Sequence, residues 1–102
     1  MSSPVNVHGL VPIPRALIVT YDLKTIPWNY SGFYAALKSQ GSWWHYLSSS
    51  WIIITTQTPS EVYAALAPHL SVKDLILVMP VTRPAFGYLP KDAWDWINTN
   101  VR

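Results

Sequence analysis

Hydrophobic and polar positions along the chain alternate between strand-like and helix-like patterns. Runs rich in β-branched and aromatic residues, bounded by turn residues, indicate strands. Four such runs predict strands over 16–22, 43–47, 50–56 and 74–82. The serines at 48 and 49 form the turn between the second and third strands.

Helical segments separate these strands. Asn29 or Ser31 is a suitable cap for a helix over 32–39, and Gly41 is a natural stop. The capping box Thr58-Pro-Ser-Glu61 begins a second helix, which we expect to run to about residue 69, with Pro68 kinking or ending it. A final short helix begins at residue 90. The order β-α-β-β-α-β plus a C-terminal helix predicts an α+β, ferredoxin-like two-layer sandwich.

The strands are apolar on both faces. In a two-layer sandwich two helices cover one face of the sheet, and the other face shows polar alternation if it meets water. Ala16–Val19, Ile52–Ile54 and Leu75–Met79 are apolar at consecutive positions instead. Because one short C-terminal helix is too small to cover a whole face, the pattern predicts a homodimer, sheet against sheet or edge to edge.

Length and composition narrow the classes of protein. The 102 residues correspond to one domain, which we expect over 15–98, between an irregular leader (1–14) and a tail (99–102). Hydrophobic residues make up 50% and charged residues 12%, which excludes a disordered tail and a solvated coiled coil. The absence of cysteine excludes disulfides, thiolate zinc sites and cysteine nucleophiles, and leaves the cytoplasm as the default compartment. No apolar stretch approaches the ~20 residues of a membrane span, so we expect no membrane partner.

Polar residues concentrate at one predicted end of the sheet. The strand directions bring the end of the first strand, the serine turn, the start of the fourth strand and the start of the first helix to this end. The rim so formed contains Asp22, Lys24, Asn29, Tyr30, Ser48, Ser49, Ser50, Lys73 and Asp74. The net charge of only +2, however, is lower than that of a strongly basic nucleic-acid binder.

Asp22 is the main candidate for chemistry. A carboxylate at the end of a central strand is a suitable ligand for Mg²⁺, and two of them across a dimer axis can share one ion. Such an ion polarises a phosphodiester and lowers the pKa of a bound water. The structural alternative is that Asp22 ends the strand by accepting backbone N–H bonds of the next turn. The same two interpretations apply to Asp74, where the structural one is stronger.

The aromatic residues are better explained by packing. His45 lies between Trp44 and Tyr46 on a strand, where a lone histidine is more often packed than catalytic. Alternation places Trp43 and His45 on one face, and Trp44 and Tyr46 on the other. Aromatic platforms for single-stranded nucleic acid are interleaved with Lys and Arg, and the segment 41–58 has neither. We therefore expect these tryptophans to serve core and dimer packing.

Four blocks resemble a known group of proteins. The segment Ala16–Lys24, followed by this order of elements, resembles the small CRISPR-associated endoribonuclease that bridges the adaptation integrase. A related branch of small bacterial and phage proteins, often labelled SinR-like, is more similar and covers about residues 15–98. The four blocks that carry this likeness are VTYDLK (19–24), YAALK (34–38), SWWHYL (42–47) and LPKDAWDW (89–96).

The resemblance implies a ferredoxin-like homodimer in which Asp22 and its symmetry mate hold a divalent cation. Some members of the nuclease family cleave phosphodiesters, and others serve only as structural DNA-binding bridges. We therefore predict a Mg²⁺-dependent nuclease or nucleic-acid-binding homodimer, acting on RNA or DNA, with Asp22 as metal ligand and catalytic residue. Lys24 and Lys73 would steer phosphate, and Ser48, Ser49 and Ser50 or the start of the first helix would hold a phosphate oxygen. The alternative is a non-catalytic interaction or scaffold module with a protein partner.

Overall fold

A computed structural model describes residues 13–102, which form one four-stranded sheet and three α-helices. The elements, in chain order, are β1 (Arg15–Asp22), α1 (Ser31–Lys38), β2 (Ser42–Leu47), β3 (Ser50–Thr55), α2 (Pro59–Leu66), β4 (Leu75–Pro80) and α3 (Lys91–Asn100). The protein is therefore α+β, with its elements in the predicted order. None of the helices within this range is long and apolar enough to cross a membrane.

The sheet is antiparallel throughout, with the strand order β2-β3-β1-β4. The central strand β1 pairs with β3 on one side and β4 on the other, so that Val19 lies between Trp51 and Val78. This register brings the C-terminal end of β1, the turn between β2 and β3, and the start of β4 to the same end of the sheet. The predicted rim is therefore a real feature of the fold.

The first face of the sheet carries the larger core. Alternate residues of β1 point towards α1 and α2, as the two-residue period of a strand requires. This cluster buries Leu17, Val19, Tyr21, Phe33, Leu37, Trp51, Ile53, Val62 and Leu66. The two helices thus cover this face, as the pattern predicted.

The second face is covered only in part. Helix α3 packs over Ala16, Trp44 and Ile52, and Trp44 donates from Nε1 to the carbonyl of Ala93 at 3.1 Å. Beyond α3, β4 presents its other side chains to solvent: Leu75 is 57% exposed, Leu77 53% and Met79 45%. With the half-buried Ile18 of β1, these residues form what we call the open strip. The prediction that the C-terminal helix leaves part of this face uncovered is confirmed.

Some boundaries differ from the sequence prediction. Tyr30, not Asn29 or Ser31, is the N-cap of α1, although Asn29 Oδ1 accepts a bond from Ser31 N at 3.0 Å. Pro68 lies in a 3₁₀ turn that follows the last residue of α2.

The C-terminal residues also differ from the predicted tail. Helix α3 runs through Asn100 and Val101 is buried, so part of the segment 99–102 packs with the domain. Most of the predicted leader, residues 1–12, lies outside the described residues.

Candidate functional site

Asp74 organises the loops at the rim. Its Oδ1 accepts hydrogen bonds from the backbone N–H of Lys24 and from the Tyr30 hydroxyl, both at 2.7 Å. Its Oδ2 accepts a bond from Ser71 N at 2.8 Å. The hydroxyls of Thr25 and Ser71 lie 2.6 Å apart and join the same two loops. Asp74 is therefore a structural residue that fixes the loop after β1 against the loop before β4.

The charge state of Asp74 follows from these contacts. Desolvation alone raises the pKa of its carboxyl, but hydrogen bonds from Lys24 N, Tyr30 Oη and Ser71 together outweigh that effect. The pKa of Asp74 consequently lies below its usual value. The group is an anion at neutral pH, with both oxygens occupied by donors.

The two loops enclose a cleft of about 380 Å³, which we call the loop cleft. It is lined by Lys24, Thr25, Ile26, Trp28, Leu70, Ser71, Val72 and Lys73. Both lysines that the sequence assigned to phosphate binding therefore meet at one cleft. The cleft also has two hydroxyls and no carboxylate among its lining residues. It combines positive charge with hydrogen-bonding groups, which suits a phosphate-bearing ligand.

Asp22 lies beside this cleft but does not line it. As the last residue of β1, it follows Ile18 and Thr20 on the second face of the sheet, opposite Leu75 of β4. Its side chain is 65% exposed, and Oδ2 lies 3.5 Å from Lys24 Nζ. The N–H of Lys24, in the turn that Asp22 was a candidate to cap, donates to Asp74 instead. Asp22 is thus an exposed carboxylate beside one lysine.

The serine turn lies on the other side of β1 from the loop cleft. The carbonyl of Ser49 accepts bonds from Tyr21 N at 3.1 Å and Thr20 Oγ1 at 3.2 Å. The Ser50 hydroxyl lies 2.9 Å from the Thr20 hydroxyl. Ser48, Ser49 and Ser50 therefore share the sheet end with Asp22 but do not contribute to the cleft.

Tyr21 is not a base at neutral pH. Burial raises the pKa of Tyr21 to about 12, although the bond from Trp51 partly opposes this shift. Its hydroxyl accepts from Trp51 Nε1 at 2.9 Å and donates to the Ser48 carbonyl at 3.4 Å. Tyr21 therefore connects the core on the first face of the sheet to the serine turn.

Asp22 is the rim residue that would hold a divalent cation. Over residues 13–102, no group of three or more His, Cys, Asp or Glu side chains is close enough to hold a metal. Mg²⁺ requires few protein ligands, because it keeps several of its waters and takes one or two carboxylates. Asp22 supplies one accessible carboxylate per chain, so a two-carboxylate site needs the Asp22 of a second copy.

A second concave surface lies on the first face, along the edge strand β2. Trp43 and His45 extend beyond the helices here, while Trp44 is buried beneath α3. With Tyr34, Lys38 and Trp51 they line a pocket of about 300 Å³, which we call the aromatic pocket. Packing therefore accounts for Trp44 and Trp51 but not for Trp43, which is 42% exposed.

The sequence reasoning missed Lys38 at this pocket. The hairpin 41–58 contains no lysine or arginine, but the neighbouring helix α1 places Lys38 Nζ 5.3 Å from the centre of the Trp43 ring. The sequence does indicate this proximity, because Lys38 is the last residue of α1 and only three residues separate it from β2.

Comparisons of the chain with family models, with curated proteins and with solved structures gave no match.

Proposed function

We propose that this chain forms a ferredoxin-like homodimer that binds nucleic acid at the rim and holds a divalent cation between two Asp22 carboxylates. The reaction class is metal-dependent cleavage of a phosphodiester in RNA or DNA, and the proposed compartment is the cytoplasm. The likeness to the SinR-like branch of the CRISPR-associated endoribonucleases supports this proposal through its four sequence blocks. The strand order β2-β3-β1-β4 is compatible with the ferredoxin-like plan and supports this part of the proposal.

The observation that carries the proposal is the position of Asp22 relative to the open strip. Asp22 and Leu75 are register partners, and Leu75 begins the row of exposed apolar side chains on β4. Burying such a row against a second copy removes apolar surface from water, which is the main driving force for association. We propose an isologous interface whose two-fold axis passes at the Leu75 end of the strip, which would bring the two Asp22 side chains together.

The loop cleft supplies the contacts to phosphate. Lys24 and Lys73 attract the nucleic-acid backbone, and the paired hydroxyls of Thr25 and Ser71, which lie 2.6 Å apart, leave one proton to donate to a phosphate oxygen. A bound Mg²⁺ would supply charge neutralisation at the phosphodiester and a coordinated water of lowered pKa. Lys24 has a second role, since its ammonium group neutralises Asp22 when no cation is bound.

A non-catalytic interaction module is the second candidate, and the exposed apolar surface favours it. Besides the open strip, Phe86 and Tyr88 in the loop before α3 are almost fully exposed. Exposed apolar patches of this kind mark protein interfaces. In that case the strip binds a protein partner, and Asp22 has no metal.

Magnesium titration by calorimetry tests the metal site, with the oligomeric state measured by light scattering on the same samples. We expect Asp22→Asn to abolish Mg²⁺ binding and nuclease activity. The matched control is Asp92→Asn, which removes an exposed carboxylate of α3 and should change neither. Lys24→Ala should tighten Mg²⁺ binding by up to about fivefold, because an exposed ion pair of 0–1 kcal/mol no longer competes for Asp22.

Unchanged Mg²⁺ affinity or nuclease activity in Asp22→Asn would contradict the metal site. Salt separates the two candidate functions, because binding through phosphates weakens steeply as salt rises and an apolar protein interface does not. A dimer without affinity for Mg²⁺, RNA or DNA would support the interaction module.

A further inference from the structure

The aromatic pocket has the form of a stacking site on the edge of the sheet. Its floor is Trp51, and the His45 ring stacks on Trp51 at 4.1 Å between centroids, with an interplanar angle of 15°. Tyr34 also stacks on Trp51, with the ring centroids 6.3 Å apart. Trp43 contacts Trp51 at 5.2 Å and forms the outer wall. Four aromatic side chains from α1, β2 and β3 therefore surround one cavity.

Packing within the chain does not explain the position of Trp43. Its neighbours Trp44 and Trp51 are 3% and 1% exposed, and each is buried in one of the two hydrophobic clusters. Trp43 keeps 42% of its surface in water on the edge strand β2, although Lys38 of α1 lies beside its ring. An exposed tryptophan that borders a cavity provides a π-face to a planar ligand.

The pocket has a cation and no anion. Lys38 Nζ lies over the Trp43 ring, and none of the lining residues is acidic. The two ion pairs found in the described part of the chain, Lys24–Asp22 and Lys91–Asp95, do not involve Lys38. Lys38 is therefore available to an anionic group next to a stacked ring.

A nucleotide has both a planar base, which can stack on an exposed aromatic ring, and an anionic phosphate, which can pair with a lysine. Stacking of a base on an aromatic side chain contributes about 1–3 kcal/mol and tolerates any base, because every base has a π-face. A volume of about 300 Å³ is at the lower limit for small-molecule pockets. It therefore suits one base and its phosphate better than a longer stretch of strand.

We propose that the aromatic pocket binds one base of single-stranded RNA or DNA, stacked on Trp43 with the adjacent phosphate at Lys38. This inference rests on the proposed nucleic-acid partner and adds a second contact surface to it. The pocket lies on the first face of the sheet, whereas Asp22 lies on the second. His45 connects the pocket to the rim, since its Nε2 lies 3.3 Å from the Ser48 carbonyl. Trp43 itself pairs with Ile53, which pairs with Leu17, five residues before Asp22, so the pocket is a contact surface towards the other end of the sheet.

The test measures binding of a fluorescein-labelled ten-nucleotide oligouridine, and of oligothymidine of equal length, by fluorescence anisotropy without added metal. Trp43→Ala should raise the Kd for both about tenfold, in keeping with a stacking contribution of about 1.4 kcal/mol. Trp43→Phe keeps a π-face and should stay within about threefold of the wild-type protein. The matched control is Tyr63→Ala, which removes an exposed aromatic ring of α2 outside the pocket and should leave the Kd unchanged.

Lys38 has its own readout. Lys38→Ala should lower the slope of log K against log salt by about 0.7, the value for one phosphate contact on a single strand. Lys91→Ala removes a lysine of α3, which packs on the other face of the sheet, and should leave the slope unchanged. Circular dichroism of each variant establishes that the fold is retained, and Lys38→Ala tests the pocket without altering a packed ring.

The outcomes separate this inference from the proposed function. Wild-type affinity in both Trp43→Ala and Lys38→Ala, with loss of binding in a Lys24→Ala, Lys73→Ala double variant, overturns the aromatic pocket and leaves the rim in place. Loss in Trp43→Ala together with unchanged metal binding in Asp22→Asn supports the pocket while rejecting the metal site. If the wild-type protein binds neither oligonucleotide, both proposals fail.

Discussion

Two aspartates at adjacent strand ends have different roles, and their contacts distinguish them. Asp74 has three donors on its carboxylate, whereas Asp22 is exposed beside a single lysine. The sequence could not separate these roles, because the donors to Asp74 from Lys24 and Tyr30 come from positions 50 and 44 residues away. A carboxylate without donors is free for a ligand, while a saturated one holds loops together.

Asp74 should make the protein sensitive to acid. Its folded pKa is lower than its unfolded pKa, so the carboxylate contributes stability above about pH 4 that is lost as pH falls through the folded pKa. We expect Asp74→Asn to reduce the free energy of unfolding by about 1–2 kcal/mol at pH 7. The difference from wild type should shrink as pH falls to about 3. Urea denaturation at both pH values measures it.

The control for this experiment is Asp22→Asn, which removes an exposed carboxylate with a single lysine beside it and should stay close to wild type at both pH values. An Asp74→Asn protein as stable as wild type at pH 7 would show that the three hydrogen bonds do not stabilise the loops.

Helix and strand order could be predicted because the local signals were strong. The capping box at Thr58 is present in both directions: Thr58 Oγ1 accepts from Glu61 N, and Glu61 Oε1 accepts from Thr58 N. At α1 the local signals were weaker, because Tyr30 takes the cap position and its hydroxyl is committed to Asp74. A contact between distant segments decided that boundary, and no local pattern carries such information.

The sequence predicted the two lysines of the candidate site, but it did not predict the cleft that they line. Lys24 and Lys73 follow from strand ends, which the order of elements specifies. Trp28, whose Nε1 donates to the carbonyl of His69 at 3.2 Å, joins the loop cleft through a loop conformation that the sequence does not reveal. Lys38 and Trp43 meet only because α1 crosses next to the edge strand.

Gly41 should be essential for the entry into β2. Its φ of +152° is a conformation that L side chains rarely adopt, and an added Cβ would collide with the carbonyl oxygen of Ile54 in β3. We expect Gly41→Ala to reduce the free energy of unfolding by about 2 kcal/mol or more. Thermal and urea denaturation provide the measurement.

Gly87→Ala is the matched control, because its added Cβ would meet only the Trp94 ring, at an ordinary 3.8 Å. Equal stability of the two variants would contradict the role given to Gly41.

The molecule as a whole is asymmetric about its sheet. Two helices bury the first face, and one helix covers part of the second. This asymmetry leaves the open strip of β4 exposed to solvent. In addition, β4 is an edge strand, so it has unpaired backbone groups. Both properties favour association of the chain through this side.

Leu77 lies at the middle of the open strip and is the position to test for self-association. Leu77→Glu should convert the proposed dimer to a monomer, because a charge on an apolar interface costs several kcal/mol when buried. Light scattering at about 10 and 100 µM protein measures the mass. Tyr63→Glu, an equally exposed position on α2, should remain dimeric. A wild-type protein that is monomeric at both concentrations would contradict the homodimer.

The attachment of α3 has a consequence for how the protein opens. This helix follows a loop of exposed residues, and its buried contacts form a cluster separate from the first core. Regions with fewer buried contacts open locally at a lower free energy than the whole domain. The amide hydrogens of α3 should therefore exchange with solvent sooner than those of β1. Each such opening uncovers Ala16, Trp44 and Ile52 beside the open strip, so transient release of the C-terminal helix enlarges the apolar surface that another chain can capture.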